Sequence, residues 1–257
     1  MDGDLGRLRK LMALRMILGL SAGLVVGGCS HYVGTTVKSF LRNARHHPDP
    51  NVRFVAYSKL ASLDAYESPE EKSEAVKVLM ERFDQGREPV ASRAMICRAL
   101  GQLGDPAARE LLIRATSHPE GVIKIEACRA LGKVGRSEDA TILARIMTVD
   151  HLEDARIAAI EGLAELRTKD PRIYLVLVEG MDHDDPAIRL ASLNALRKLT
   201  GKDLGVTSDP WRRELKPILD AAARGDSAMA VGDGTADTDT DRSGRDPNGT
   251  AEAPAPR

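Results

Sequence analysis

Residues 93–103 read Arg-Ala-Met-Ile-Cys-Arg-Ala-Leu-Gly-Gln-Leu, and residues 124–134 read Lys-Ile-Glu-Ala-Cys-Arg-Ala-Leu-Gly-Lys-Val. A base, a cysteine, the string Arg-Ala-Leu-Gly and a closing apolar residue thus return 31 positions later. The leucine of that string has counterparts on both sides. Leu60, Leu100, Leu131, Leu163 and Leu196 follow one another at intervals of 40, 31, 32 and 33 residues. Seven positions before each stands a base: Arg53, Arg93, Lys124, Arg156 and Arg189. Four positions before each stands a small or apolar residue: Ala56, Ile96, Ala127, Ala159 and Ser192. A repeat of this length without strand-like or Gly-rich segments marks a helical solenoid, in which each unit buries its apolar face against the next.

Each unit predicts two helices. The expected pairs are 35–46 with 50–63, 69–84 with 89–103, 106–117 with 119–134, 138–148 with 153–166, and 171–181 with 186–199. Proline recurs at or near the first helical position, where its missing N–H is harmless. The acids Asp49, Glu88, Glu120, Glu153 and Asp185 stand beside helix starts, where a carboxylate can cap free amides. Gly101, Gly104, Gly132, Gly135 and Gly201 are expected to close second helices. The second helices are apolar around most of their circumference, as for an inner layer packed on several sides. The first helices alternate Ala75, Val76, Val78, Leu79 and Phe83 with Lys72, Glu74, Lys77 and Glu81, as expected of an outer, convex layer.

Composition agrees with tightly stacked helices: 42% of the 257 residues are hydrophobic, yet only 3% are aromatic. A net charge of −1 gives no support to nucleic-acid binding, for which a basic stripe or domain is expected. Three cysteines cannot form a disulfide framework. Cys97 and Cys128 share one position in successive units, so about 10 Å separates them and they are expected to be buried apolar thiols.

The strings Asp49-Pro50-Asn51-Val52-Arg53, Arg98-Ala99-Leu100-Gly101 and Arg129-Ala130-Leu131-Gly132 resemble HEAT and HEAT-like repeats of the short type. The likeness covers about residues 35–200. It implies an all-α, right-handed α-solenoid of about five helix pairs, in which the recurring base and acid form a ladder between neighbouring repeats. HEAT-like proteins include di-iron hydroxylases, which carry repeated His-Glu pairs, and phycobilin lyases. No His-Glu dipeptide occurs here. A lyase or chaperone-type enzyme is the catalytic alternative that the resemblance leaves open.

Two segments lie outside the repeats. Arg7, Arg9, Lys10 and Arg15 precede an uncharged, mostly apolar run from Met16 to Gly28, the layout of a secretory signal. That run is too short for a membrane-crossing helix. Val26-Gly27-Gly28-Cys29 resembles the lipobox of bacterial lipoproteins, in which the cysteine is acylated and becomes the mature N-terminus, although Val26 stands where leucine is usual. The expected organisation is a signal peptide over 1–28, a lipidated N-terminus and linker over 29–34, repeats over 35–200, a capping loop and helix over 201–224, and a disordered tail over 225–257. Cleavage before Cys29 removes four bases and two acids, which takes the net charge from −1 to −3. A mildly acidic protein has no pull toward anionic headgroups, so its lipid would be the anchor. Ser30 follows the cysteine, and by resemblance to bacterial sorting rules the absence of aspartate there implies a periplasm-facing position on the outer membrane. Trp211 is expected to cover the apolar end of the last repeat.

No phosphate loop, nucleophile elbow or Cys-x-x-Cys pair is present. His47, His118 and His183 lie thirteen residues before their leucines, and His151 twelve, in the turns between paired helices. Ligands must lie about 2 Å from one zinc ion, and residues one repeat apart cannot converge so closely. No metal or cofactor is therefore expected. The remaining candidate site is a stripe two residues before and two after each leucine, four apart and on one helix face. It reads Ser58 and Ser62, Arg98 and Gln102, Arg129 and Lys133, Glu161 and Glu165, then Asn194 and Lys198. Lining the concave surface, this stripe would be basic at its middle and acidic just beyond, suited to a charged protein or peptide. The sequence thus predicts a non-enzymatic scaffold or adaptor at the bacterial cell envelope, with a cytosolic regulatory solenoid as the alternative if Cys29 is not processed.

Overall fold

In the computed structural model, the described residues are 34–232; Cys29 with its preceding segment, and residues 233–257, lie outside them. The described chain is all-helical and forms two compact units, the first ending at Arg167 and the second starting at Thr168.

The first unit holds four helix pairs. They are α1 (Val37–His46) with α2 (Pro50–Leu60), α3 (Pro69–Asp84) with α4 (Val90–Leu103), α5 (Arg109–Ala115) with α6 (Gly121–Val134), and α7 (Ala140–Val149) with α8 (Glu153–Leu166). The expected helices over 106–117 and 138–148 each begin instead as a 3-10 turn, Pro106–Ala108 and Ser137–Asp139. Each first helix packs on its own second helix, and the second helices stack in the order α2, α4, α6, α8.

The repeat signature is the core. Leu60, Leu100, Leu131 and Leu163 are all 0% exposed, and so are Ala56, Ile96, Ala127 and Ala159. Fully burying one such leucine is worth about 2 kcal/mol, so the periodic positions supply much of the stacking free energy. Cys97 and Cys128 are buried among them as free thiols.

Two glycines have a different role from the expected one. A Cβ on Gly101 would lie 2.7 Å from the Ala130 Cα, and one on Gly132 would lie 2.5 Å from the Gly162 Cα. Gly101 and Gly132 are therefore points of near backbone contact between α4 and α6 and between α6 and α8, not helix ends. Gly104 and Gly201 do terminate helices in the left-handed conformation, at φ 65° and 68°. Arg167 takes that conformation at the end of α8 without being glycine.

The caps also differ in part. Asp49 and Asp185 accept from the amides of Asn51 and Ala187 at 2.8 and 2.7 Å, as expected. Glu120 flanks its helix without a side-chain cap, and Glu153 sits within the first turn of α8. Glu88 precedes the flanking Pro89 and is buried.

The second unit comprises α9 (Pro171–Gly180), α10 (Pro186–Thr200) and α11 (Ser208–Gly232). Leu196 and Ser192 are 0% exposed, so the fifth repeat follows the same rule. Helix α11 packs on α9 and runs past the expected boundary at 224 to Gly232. Trp211 is 0% exposed, and its indole N–H donates to the Gly205 carbonyl at 3.0 Å. Asp182 accepts from Ser208 Oγ at 2.7 Å and from Arg212 Nη2 at 2.6 Å, tying the start of α11 to the α9–α10 turn.

Candidate protein-binding groove

Two sets of charged contacts run across the repeats of the first unit, one at the turns and one on the exposed face of the second helices. The turn set begins with the base seven before each leucine. Arg53 donates to Glu88 Oε1 at 2.9 Å and to the carbonyls of His47 and Pro48. Arg82 also pairs with Glu88 and donates to Tyr57 Oη at 3.3 Å. Burial pushes the Glu88 carboxyl up, but hydrogen bonds from Arg53 and Arg82 outweigh it and hold it below the usual carboxylate range. Arg93 lies over the Phe83 ring, 4.5 Å from its centre, with Nη1 3.0 Å from His118 Nε2. Lys124 reaches Asp150 at 2.6 Å, whereas Arg156 donates to the Met147 carbonyl at 2.7 Å. In the second unit, Arg189 donates to the carbonyls of His183 and Asp184. The recurring base is thus a structural tie, although its acceptor changes from carboxylate to imidazole to carbonyl.

The turn histidines are structural as well. In His47, His118 and His183 the ring Nδ1 accepts from the amide two residues on, at 3.1, 3.0 and 3.0 Å. Among the described residues, no group of three or more metal-ligating side chains converges. A further clamp was not visible in the repeat pattern. Arg109 Nε and Nη2 hold Asp139 at 2.8 and 2.5 Å, and Asp139 also accepts from the Arg136 amide at 2.7 Å.

The second set occupies the predicted stripe. Arg98, on α4, binds Glu126 of α6 with both fork nitrogens, Nε to Oε2 at 3.0 Å and Nη2 to Oε1 at 2.6 Å. Arg129 lies 3.6 Å from the same carboxylate and donates to Glu161 of α8 at 2.6 Å. Base and acid thus also pair across the helices, a link that the stripe read helix by helix does not contain. Glu126 was missed. Its signal was a carboxylate five before the leucine, where the other units carry Val55, Met95, Ala158 and Ala191. Its side chain is only 8% exposed, whereas Arg98 and Arg129 remain 52% and 41% exposed.

These side chains border an open groove. A cleft of about 410 Å³ is lined by Arg98, Gln102, Glu126, Arg129, Ala130 and Lys133. A second, of about 350 Å³, is lined by Ser58, Ala61, Ser62, Met95, Arg98 and Gln102. Arg98 and Gln102 belong to both, so the stripe is continuous from α2 to α6. Glu161 and Glu165 are exposed on α8 and line neither cleft, and Asn194 and Lys198 are exposed on α10 of the second unit. Cys97 and Cys128 do not reach the groove surface, and burial pushes both thiols up to about 12. Neither is a nucleophile at neutral pH.

Residues 76–164 match the HEAT-repeat family. No curated protein matches the chain. Among solved structures, a chain in the complex of CpcE and CpcF of phycocyanin lyase from Nostoc sp. is similar, with a TM-score of 0.55 and 18% identity. The match covers 70% of this chain and 71% of that one, and at this identity it is a likeness of fold.

Proposed function

We propose that this protein is a non-enzymatic adaptor that binds another protein through the groove formed by α2, α4 and α6, and that the lipid on Cys29 holds it at the bacterial cell envelope. The observation that carries the first half is the groove itself, two clefts joined through Arg98 and Gln102 along the exposed face of stacked helices. An open, elongated and polar groove suits a chain segment better than a small molecule, which favours an enclosed, mostly apolar pocket. Support for the second half comes from the sequence, in the basic start, the apolar run to Gly28 and the lipobox-like string ending at Cys29. Among the described residues no helix is long and apolar enough to cross a membrane.

The test is site-directed photocrosslinking in membrane fractions of the source cells, with a photoreactive side chain at Gln102 in the groove and another at Lys77 on α3. A protein trapped from position 102 and not from position 77 supports the adaptor. Equal or absent trapping at both positions refutes it. Release of a Cys29→Ser protein into the soluble fraction supports the lipid anchor, and unchanged membrane retention counts against it.

The second reading is a role in bilin attachment, favoured only by the fold shared with the phycocyanin lyase chain. Incubation with phycocyanobilin, read as a new visible absorption band on the protein, separates it from the adaptor reading.

A further inference from the structure

We infer that the groove takes an extended segment of a partner protein carrying a short run of carboxylates, read by Arg98, Arg129 and Lys133 while Glu126 fixes the Arg98 guanidinium. This partner chemistry presupposes the protein-binding reading of the groove. The larger cleft is lined by three cations against one carboxylate, a formal excess of two positive charges in one concave site. The carboxylate is the least exposed of the four charged groups that line it, Glu126 at 8% against 52% for Arg98, 41% for Arg129 and an exposed Lys133. A ligand in the cleft therefore meets mainly cations.

The pairing also prepares Arg98. Glu126 occupies its Nε and Nη2, which leaves Nη1 as the donor edge. A guanidinium already held in one orientation loses less entropy when it binds a second carboxylate. Lys133 has no ion-pair partner among the described residues. It contributes an uncompensated charge.

The groove also limits the ligand's length and composition. Beyond Arg129 the exposed face of α8 carries Glu161, a carboxylate that disfavours a further acidic residue there. On the other side the smaller cleft is lined by Ser58, Ala61, Ser62 and Met95, which suit small or uncharged residues. Neighbouring packed helices stand about 10 Å apart, and an extended chain advances about 3.3 Å per residue. The acidic run is thus about three residues long, with short neutral residues on its α2 side.

Fluorescence anisotropy with the full chain tests this. The probe is a fluorescein-labelled ten-residue peptide with three adjacent glutamates between alanine and serine flanks, alongside otherwise identical peptides with three glutamines or three lysines. The glutamate peptide is expected to bind at least tenfold tighter than either, and to weaken as salt rises. Lys133→Glu should reduce that binding at least tenfold, while Lys77→Glu, the same charge change on the exposed face of α3, leaves it intact. Equal binding of the three peptides, no binding of the glutamate peptide, or equal losses in the two variants would overturn the inference. In any of those cases, crosslinking from position 102 separates the two levels. Trapping retained there means the groove binds protein by other chemistry, and trapping lost there removes the adaptor reading too.

Discussion

Replacing Gly132 by alanine asks whether the near backbone contact between α6 and α8 holds the stack together. On an open helix the change is stabilising, by about 1 kcal/mol, because alanine is the better helix former. Here the new Cβ would lie 2.5 Å from the Gly162 Cα and 2.6 Å from its carbonyl oxygen, where an ordinary contact begins at 3.4 Å. Both obstacles are backbone, so no side chain can swing aside. The helices must part by about 0.9 Å. A gap of this size forfeits about a quarter to a half of each dispersion contact across the seam. The seam includes Leu131, Ala127, Ala159 and Leu163, all 0% exposed, so several kcal/mol are at stake before relaxation. Overpacking in relaxed cores costs about 1–3 kcal/mol. With the larger clash weighed against the helix-propensity gain, the net loss is about 2 kcal/mol, or about 4–8 °C in melting temperature. Urea and thermal unfolding followed by circular dichroism measure it, with Gly121→Ala as comparison, since its Cβ meets only the flexible tip of Leu152 at 2.7 Å. An unchanged or raised midpoint for Gly132→Ala would refute the close-approach argument.

Three other outcomes follow from the same geometry. Glu88→Gln leaves Arg53 and Arg82 short of their shared carboxylate. Breaking a buried pair costs about 3–5 kcal/mol, reduced to about 2–3 here because the guanidiniums keep some solvent access; a loss below 1 kcal/mol in urea unfolding would contradict the clamp. Cys97 and Cys128 should resist thiol reagents in the native protein and react only once urea unfolds it, and rapid native labelling mapped to either residue by mass spectrometry would show that the second helices open. Stability should also fall with pH in two windows. In His118 each ring nitrogen faces an N–H, and burial together with the Arg93 charge holds its pKa below 6.5. The unfolded chain then takes up the proton more readily, so the contribution is full above about pH 6.5 and is lost as the pH falls below it. In Asp139 and Asp150 burial raises the carboxyl pKa, but hydrogen bonds from Arg109 and Lys124 outweigh it, so their share is present above about pH 4 and lost below. His118→Gln should flatten the decline between pH 7 and 5.5 and leave the acid limb unchanged.

The fold was legible because its determinants repeat. The leucine and the small or apolar residue four before it are buried in all five repeats, and an interval that returns at 31, 32 and 33 residues needs no partner information to be seen. What was hidden depended on contacts between repeats. Gly101 and Gly132 looked like helix ends because glycine near the end of a helical pattern is usually a cap, and only the packed helices reveal a neighbouring backbone 2.7 or 2.5 Å from a virtual Cβ. The Arg109–Asp139 clamp joins residues 30 apart at positions that do not recur in other units, so periodicity carried no trace of it. The stripe residues of α2, α4 and α6 line one continuous groove, because helical geometry fixes which residues are neighbours. Their pairing between helices was not legible. Charges were assigned to each helix separately, whereas Glu126 lies one helix away from Arg98 in space and 28 residues away in sequence.

That cross-helix pairing gives the groove its sharpest test, because Glu161 and Lys133 make opposite predictions. Glu161 pairs with Arg129, yet its side chain is 48% exposed and lines neither cleft. If the pair served only to join α6 to α8, Glu161→Gln would cost the up to about 1 kcal/mol typical of an exposed pair and leave binding untouched. If Arg129 also reads a partner's carboxylate, the same substitution removes a competing acceptor and a repelling charge. The glutamate-peptide affinity should then rise about two- to fivefold, the equivalent of about 0.5–1 kcal/mol. Stability and affinity would move in opposite directions in one variant, which a general loss of structure cannot produce. Anisotropy titration and urea unfolding of the same preparation decide the matter. Unchanged or weakened binding would show that Arg129 is occupied by the stack alone.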